Sequence, residues 1–480
     1  MSPKEIDVGN KKKTSRESDS GIFEQLRKGD TETKWACERW HSDIFTALRE
    51  ADDDIWQLVA AEFGRRKKTL QLLAAETQCS KAVLAALGSI LQNKTAEGAV
   101  DDRLHGGCGV VDRVEQLGID RAKQVFGAKY ANVQPHSGTQ ANQIVIMAIL
   151  RKGDKILSLP EIQGGHFSHG SADSLTGKFF QIDDYRLDAN FLLDYQAIER
   201  KALSFRPKLI ICGASAYPRK IDFRAFREIA DRCGAFLLAD ISHICGLVSA
   251  GAHQSSIDYA HFTTTSTYKP GGPRGGLILM GKDFDMKIDA DGKKLPLWQL
   301  IDKTTFPGVQ GTPYFNNIAA KAVFFREMLS DEYKQRQHKI IKNSAQLASR
   351  LIERGFNVVT GGTDNHLVVV NVTDFKKGLT GDIAQKALER CGIVVDSITL
   401  PVDEGKVSIS GIRLGTAIVT KDGMAEQEID TIAQMIEQIL RQVQIIDEGN
   451  YGMDKQFAEQ MLQRVGQLCD MFSPDNGLLL

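Results

Sequence analysis

Apolar and polar positions follow two different rhythms along the middle of the chain. Between about residues 100 and 325, segments with apolar residues three and four positions apart alternate with short apolar runs at 154–159, 208–212, 236–239 and 276–280. Short apolar runs bounded by turn residues are typical of the inner strands of a parallel sheet. Strands that alternate with helices predict an α/β fold, in which a mostly parallel sheet is covered by helices on both faces.

The pattern changes on either side of this region. Helical spacing at 35–48 and 55–63 predicts an N-terminal helical arm, and a long helical segment at 332–355 leads into a smaller α/β unit. The first residues are polar and charged without apolar periodicity, which is typical of a disordered segment. We therefore divide the chain into a disordered N-terminal tail (1–34), an N-terminal helical arm (35–99), a large α/β domain (100–330) and a C-terminal small α/β domain (331–480).

Composition and charge exclude several classes of protein. The 60 Lys and Arg residues balance the 61 Asp and Glu residues, so the chain lacks the net positive charge typical of nucleic-acid-binding proteins. No apolar run approaches the length of a membrane span, and the start of the chain has no apolar signal core. The 8 cysteines are scattered without C-x-x-C or zinc spacing. We expect a cytoplasmic protein with reduced thiols, no metal site, and no nucleic-acid or membrane partner.

Lys269 stands in the most informative segment of the chain. Hydroxyl residues crowd the positions before it at 263–267, and Pro270-Gly271-Gly272 forms a turn after it, ahead of an apolar run. A lysine on such a turn between two core strands is partly desolvated, which lowers the pKa of its amine and makes it a nucleophile towards an aldehyde. This pattern predicts that Lys269 holds pyridoxal phosphate as a Schiff base.

Asp240 ends the apolar run at 235–239, upstream of the lysine. A carboxylate at the C-terminal end of an inner strand lies where open α/β sheets bind ligands. Beneath a pyridine ring it would keep the ring nitrogen protonated, which makes the cofactor an electron sink. The alternative is that Asp240 caps the next helix. Its pairing with Lys269 favours the cofactor interpretation.

Two further segments suit the same cofactor. Ser137, Gly138 and Thr139 precede a helix, and the backbone N–H groups at such a start suit a phosphate, although a simple capped helix would have the same pattern. His166 follows two glycines and could stack on a pyridine ring; the alternative is a structural histidine.

These segments are part of an ordered series of motifs, and the chain resembles the serine hydroxymethyltransferase family from about residue 70 to 440. The resemblance implies a fold-type-I pyridoxal-phosphate enzyme, with an aspartate-aminotransferase-like large domain and a smaller C-terminal domain. The motifs that carry it are Leu87-Gly88-Ser89 with Asn93-Lys94, 132–142, 164–170, Ser215-Ala216-Tyr217, 239–243 with 246–248, 263–276, 306–311, 362–366 and 410–416.

The resemblance implies a role for individual residues around the cofactor. Lys269 would carry it, Asp240 would pair with its ring nitrogen and His166 would stack on the ring. The other implied contacts are His243 and Ser215 near the phenolic oxygen, Ser137, Gly138 and Thr139 at the phosphate, and Gly311 reaching that phosphate from a neighbouring subunit. A homodimer or a dimer of dimers follows from this last contact.

On the substrate side the resemblance implies that Arg413 binds the α-carboxylate of a small amino acid, since a guanidinium binds carboxylates with two parallel hydrogen bonds. Glu97 matches the proton-handling glutamate of the family. Here the chain also departs from the family: Leu104 and His105 replace a tyrosine pair, and Thr95 and Ala75 replace a tyrosine and a serine. The stretch that meets the pterin in the family is Asp396-Ser397-Ile398, and the residue before the lysine is Tyr268 instead of histidine.

Three functional hypotheses follow. The first is aldol, retro-aldol or transaldol chemistry on a β-hydroxy amino acid such as serine or threonine, without folate because the folate contacts are replaced. The second is β-elimination or oxidative decarboxylation on the same scaffold, with His105 as acid/base beside Cα. The third is a non-catalytic paralogue, which the retained Lys269, Asp240, His166 and Arg413 disfavour.

Overall fold

The computed structural model describes residues 38–39, 44–290, 292–447 and 449–472. The predicted disordered tail lies outside these residues. The helices Ile44–Ala51 and Asp53–Lys68 occupy the predicted arm, and Asp52 caps the second of them by accepting a hydrogen bond from the N–H of Ile55. The α-helices that follow are Lys81–Leu87, Gly109–Phe126, Gly138–Ile149, Leu175–Phe179, Tyr195–Phe205, Phe223–Cys233, Cys245–Ser249, Leu297–Lys303, Phe315–Met328, Asp331–Glu353, Gly381–Arg390, Ala417–Lys421, Glu426–Gln442 and Lys455–Phe472.

Among the described residues, a seven-stranded sheet forms the centre of the large domain. In spatial order its strands are Tyr130–Asn132, Gly276–Met280, Phe262–Ser266, Phe236–Asp240, Leu209–Cys212, Lys155–Ser158 and Gln181–Asp184. The last five strands of this order are parallel to one another, whereas Gly276–Met280 is antiparallel to both of its neighbours. The predicted α/β fold with a mostly parallel sheet is confirmed.

One central strand escapes a search for apolar runs. Phe262–Ser266 is buried along its whole length although hydroxyl residues follow its single phenylalanine. The Oγ1 atom of Thr264 donates to the side chain of Asn142 at 2.5 Å, and that of Thr263 bonds the hydroxyl of Ser256 at 2.8 Å. Because buried hydroxyl groups with partners cost little, this strand does not need apolar side chains. The edge strand Gln181–Asp184 also escapes the search, because none of its residues is fully buried and most are polar.

Helices cover both faces of the sheet, and successive strand residues enter different cores. Ile210 packs in the core that contains the helices Gly109–Phe126 and Phe315–Met328. Leu209 and Ile211 pack in the opposite core, which contains the helices Gly138–Ile149 and Leu297–Lys303. Burial on both faces explains why the inner strands are continuously apolar.

The C-terminal domain has its own core and a different kind of sheet. In the described part of the chain its strands lie in the order Asn357–Val358, Leu367–Asn371, Gly411–Gly415 and Asp396–Ile398, and all of their pairings are antiparallel. Leu70–Gln71 pairs with Ile393–Val394, and Leu70 and Leu72 are buried in the C-terminal core. Residues 70–72, which we had placed in the N-terminal arm, therefore pack with the small domain; the domain boundaries themselves stay a prediction.

Three antiparallel hairpins of the described residues lie outside these sheets, and the sequence pattern did not predict them. Their strands are Gly98–Ala99 with Asp102–Arg103, Lys287–Ala290 with Lys293–Pro296, and Gln444–Asp447 with Asn450–Gly452. None of the helices that the structure describes combines the length and the apolarity that crossing a membrane requires.

Candidate active site

A cavity of about 240 Å³ opens where the parallel strands of the large sheet end. Asp240 and Ser266, the last residues of two neighbouring strands, both line it. This edge is where open α/β sheets bind their ligands. The predicted site residues that line the cavity are Ser137, Gly138, Thr139, His166, Ser215, Asp240, His243 and Lys269.

Lys269 lies on a tight turn between two antiparallel strands. The N–H of Thr267 bonds the carbonyl of Gly275 at 3.0 Å, and the N–H of Gly272 bonds the carbonyl of Thr267 at 3.1 Å. A Cβ atom on Gly272 would lie 2.4 Å from the ring of Phe324, so the turn packs too closely for a side chain at that position. Burial lowers the pKa of Lys269 to about 8, although the nearby carboxylate of Asp240 acts in the opposite direction. The structure thus holds a partly neutral, nucleophilic amine in the cavity.

Asp240 is held by a dense set of donors. Its Oδ2 atom accepts from Nδ2 of Asn142 at 2.7 Å and lies 3.1 Å from Nε2 of His169, while its Oδ1 atom accepts from the N–H and hydroxyl of Ser242 at 3.0 and 2.6 Å. Burial alone would raise the pKa of this carboxyl, but the hydrogen bond and charge of His169, with smaller contributions from His166 and Asn142, hold it well below its usual value. Asp240 therefore stays ionised beside the cavity.

The helix-cap alternative for Asp240 does not hold. The N-cap residue of the next helix, Cys245–Ser249, is Ile244, and Asp240 precedes it by four positions. Two of the donors on Asp240, Asn142 and His169, come from distant parts of the chain. Asn142 could not have been identified as a partner from sequence spacing, because only the packing of the helix Gly138–Ile149 against the strand brings it within reach.

The segment Ser137 to Thr139 is both a helix cap and a suitable place for a phosphate. The hydroxyl of Ser137 accepts from the N–H of Gln140 at 3.0 Å and so caps the helix Gly138–Ile149. The first N–H groups of a helix have no intrahelical acceptor and carry a partial positive charge, so those of Gly138 and Thr139 suit an anion. A Cβ atom on Gly138 would lie 3.2 Å from the backbone nitrogen of Ser266, which leaves little room for a side chain.

His166 and His243 both line the cavity. Burial lowers the pKa of His166 to about 4, so its ring is a neutral imidazole at physiological pH, and its Nδ1 atom lies 2.8 Å from the hydroxyl of Ser168. Burial also lowers the pKa of His243 well below its ordinary value, and its ring stacks on that of His366 with centroids 5.7 Å apart. Both rings are neutral and can contact an aromatic ligand without a charge.

Arg413 approaches the cavity from the small domain. Its Nη1 atom donates to the carbonyl of Ser215 at 2.6 Å, and Ser215 lines the cavity. Its Nε and Nη2 atoms both donate to Oδ2 of Asp396, at 3.1 and 2.6 Å. The sequence pattern did not indicate this ion pair, because the register of the small antiparallel sheet was unknown.

The structure places Glu97, His105 and Gly311 together, but away from the cavity of their own chain. The N–H of Glu97 donates to Nδ1 of His105 at 3.3 Å, and a Cβ atom on Gly311 would lie 2.9 Å from Oε1 of Glu97. None of the three residues lines the cavity. Leu104, between them in sequence, is 72% exposed. Their sequence-based roles therefore need a second copy of the chain and stay predictions.

The residues of the cavity fit pyridoxal phosphate. Lys269 offers an amine for its aldehyde, Asp240 a charged carboxylate for its ring nitrogen, and the start of the helix Gly138–Ile149 free N–H groups for its phosphate. The hydroxyl of Ser266 and Nδ1 of His243 are buried in the cavity wall without a hydrogen-bond partner among the described residues. Buried polar atoms without partners are rare in folded proteins, so these two indicate a polar ligand. Ser266 had no functional signal in the sequence beyond its place before the lysine.

Comparison with known proteins agrees with this site. The family model of serine hydroxymethyltransferase matches residues 48–436. A serine hydroxymethyltransferase of Rickettsia canadensis (strain McKiel) is 46% identical over 429 residues, which cover 88% of this chain and 97% of that protein. A serine hydroxymethyltransferase of Borreliella burgdorferi (strain ZS7) is 45% identical over 393 residues, which cover 81% of this chain and 94% of that protein. One of Rickettsia akari (strain Hartford) is 45% identical over 428 residues, which cover 88% of this chain and 97% of that protein. The chain therefore belongs to the serine hydroxymethyltransferase family and is a fold-type-I enzyme that uses pyridoxal phosphate.

Proposed function

We propose that this enzyme cleaves and forms the Cα–Cβ bond of a small β-hydroxy amino acid, with serine as the simplest substrate. The observation that supports this most directly is the common cavity of Lys269 and Asp240, with the guanidinium of Arg413 bonded to its wall at Ser215. Pyridoxal phosphate, when bound, supplies an electron sink for a bond at Cα. Family membership supports chemistry of this kind on serine and glycine.

The residues of the chain divide the work as follows. The carboxylate of Asp240, kept ionised by its donors, would keep the ring nitrogen of the cofactor protonated, and the neutral imidazole of His166 would contact its ring. Arg413 orients the substrate through its α-carboxylate. In the cleavage of serine, the β-hydroxyl loses its proton, the Cα–Cβ bond breaks with release of formaldehyde, and Cα takes up a proton to give glycine. Glu97 of a neighbouring subunit is our candidate for the proton at the β-hydroxyl.

We further propose that the reaction does not need folate. Two departures support this: the exposed Leu104 replaces an aromatic residue, and the carboxylate of Asp396, in the pterin-contacting stretch, accepts a hydrogen bond from Nη2 of Arg413. A ligand that loses a stacking surface and a polar contact loses on the order of one to three kcal/mol for each. The carbon acceptor would then be a free aldehyde, as in an aldolase or a transaldolase.

A direct test is to incubate the enzyme with L-serine or L-threonine, with and without tetrahydrofolate, and to measure glycine and aldehyde. Glycine and acetaldehyde from L-threonine without folate, at a rate that tetrahydrofolate does not change, would support the folate-free reaction. Glycine formation from L-serine that requires tetrahydrofolate would instead establish the hydroxymethyl transfer named for the relatives, and would contradict the folate-free part alone.

The second and third sequence hypotheses gain no support from the comparisons. β-Elimination would release pyruvate and ammonia from serine, and oxidative decarboxylation would release carbon dioxide and consume oxygen. Measuring these products in the same incubations separates the alternatives. A protein that loads cofactor but yields none of the products would restore the non-catalytic hypothesis.

A further inference from the structure

The ion pair between Arg413 and Asp396 is built into the small sheet. Asp396 begins the strand Asp396–Ile398, and its Cα partner on the antiparallel strand Gly411–Gly415 is Arg413 itself. Residues directly opposite each other in such a pair project from the same face of the sheet, so the two side chains must meet. The Arg413 side chain is 11% exposed and that of Asp396 is 28% exposed, so water screens the pair only in part.

The pair leaves part of the guanidinium free. A guanidinium has five N–H donors. Nε and Nη2 each use one on Oδ2 of Asp396, and Nη1 uses one on the carbonyl of Ser215, which lines the cavity. Among the described residues, the two donors without a partner are therefore one on each terminal nitrogen. This outer edge can still bind a carboxylate in bidentate fashion, so Asp396 does not block Arg413 but occupies its other edge.

The ion pair with Asp396 weakens the attraction of Arg413 for a substrate carboxylate. An arginine without a counterion attracts a carboxylate with its full charge, whereas an arginine paired with aspartate has almost no net charge at a distance. A second carboxylate on the same guanidinium also lies close to the first, and like charges in a partly buried site repel strongly. This repulsion acts on the α-carboxylate of the substrate but not on its amino group or side chain.

We propose that Asp396 is a specificity-determining residue, which shares Arg413 with the substrate and thereby weakens the binding of the α-carboxylate. As a consequence, the Kd of an amino acid should be only modestly lower than the Kd of the corresponding amine without the carboxylate. This inference rests on the proposed function, in which Arg413 binds the α-carboxylate. Asp396 stands at a position where the family contacts the pterin. In this chain it would instead modulate the binding of the amino-acid α-carboxylate.

The test compares two ligands that differ only in the α-carboxylate. Isothermal titration calorimetry would give the Kd of L-serine and of ethanolamine for the cofactor-loaded wild type and for Asp396→Asn. Asparagine keeps an oxygen acceptor for Nε and Nη2 but removes the charge. We expect the Kd of L-serine to fall about tenfold in this variant, with that of ethanolamine unchanged, and the gain to shrink as salt is added.

A matched control comes from the neighbouring carboxylate. Asp382 accepts a hydrogen bond from the hydroxyl of Ser397 at 2.8 Å, one residue along the same strand, and has no contact with Arg413 among those described. Asp382→Asn removes a nearby charge without touching the guanidinium, so its ratio of the two Kd values should equal that of the wild type.

Three results would overturn the inference. An equal ratio of the two Kd values in wild type and Asp396→Asn means that Asp396 does not affect the carboxylate site. Weaker L-serine binding in Asp396→Asn means that the charge supports binding instead of opposing it. An L-serine Kd that Arg413→Ala leaves unchanged means that Arg413 is not the carboxylate site. Failure of the proposed function looks different: L-serine binds with the expected ratio but its Cα–Cβ bond is not cleaved.

Discussion

At the scale of single residues, the chemistry of the site depends on how strongly the fold lowers the pKa of the Lys269 amine. Burial brings the pKa of that amine from an ordinary value of 10.5 down to about 8. The neutral amine is the form that attacks an aldehyde, and its share of the population rises as the pH rises through the pKa. We therefore expect the rate at which cofactor-free protein takes up pyridoxal phosphate to level off above about pH 8, well before an ordinary lysine would.

The measurement is stopped-flow absorbance over a pH series, with borohydride reduction to fix the cofactor to the chain. Peptide mapping should place the cofactor on Lys269, and Lys269→Ala should acquire no reducible label. A rate that keeps rising beyond pH 10, or a label on another lysine, would contradict the assignment.

Arg413 is the second residue with a sharp expected phenotype. Replacing it by alanine removes a charge-assisted, bidentate contact to the substrate, and we expect the Kd of L-serine to rise roughly tenfold to hundredfold. The absorbance of the bound cofactor should not change, because no cofactor contact is predicted for Arg413. Spectral titration with L-serine checks both points, and an unchanged Kd would refute the carboxylate role.

At the scale of elements, the hairpin Gly98–Ala99 with Asp102–Arg103 decides where Glu97 and His105 lie. Arg103 anchors it from inside: its guanidinium pairs with Asp112 at 2.8 Å and with Glu115 at 2.5 Å, and Glu115 in turn accepts from Gln134. An anchored hairpin can hold an acid/base group in a fixed position away from the cavity of its own chain.

We expect Glu97→Gln to lower kcat by about a hundredfold or more while changing the Kd of L-serine little, since an acid/base acts in the transition state and not in binding. His105→Ala serves as the comparison. If His105→Ala shows the larger loss of kcat, His105 handles the proton, as the alternative chemistry would require. If neither variant loses activity, the base is a residue that we have not identified.

At the scale of the whole molecule, the predicted site residues fall into two separate groups within one chain. Lys269 and Asp240 line the cavity, while Glu97, His105 and Gly311 form a separate, more exposed group, and Leu104 and Tyr314 beside them are 72% and 51% exposed. Large exposed apolar groups of this kind mark interaction surfaces. We therefore propose that two copies of the chain pair so that this group of one copy meets the cavity of the other.

Complementation tests this arrangement. Lys269→Ala and Glu97→Gln should each be inactive alone, but a mixed dimer has one site with both residues intact. Random pairing of equal amounts should restore about one quarter of wild-type activity, because each intact residue is drawn from half of the chains. Two tagged copies purified together provide the mixed dimer. Its inactivity, or an active monomer in light scattering, would refute the shared site.

Much of the site could be predicted before the fold was known, because its residues carry strong local signals. Lys269 lies in a glycine-rich turn, Asp240 ends an apolar run, and Ser137 to Thr139 start a helix. The full set of partners that hold these residues could not be predicted. Asn142 and His169 reach Asp240 through packing, and Ser266 belongs to a strand whose hydroxyl residues hide its burial.

The sequence by itself determined the alternation of strands and helices, the nucleophile and the carboxylate at a strand end, since these follow from local periodicity and residue chemistry. Only the tertiary structure decided how charges are shared. Asp396 and Arg413 lie 17 positions apart in sequence, yet the register of two antiparallel strands places them directly opposite each other. Strand register depends on contacts among distant residues, and a local pattern does not encode it. The same holds for Leu70, which pairs with Ile393 more than 300 residues further along the chain and, with Leu72, packs in the core of the C-terminal domain.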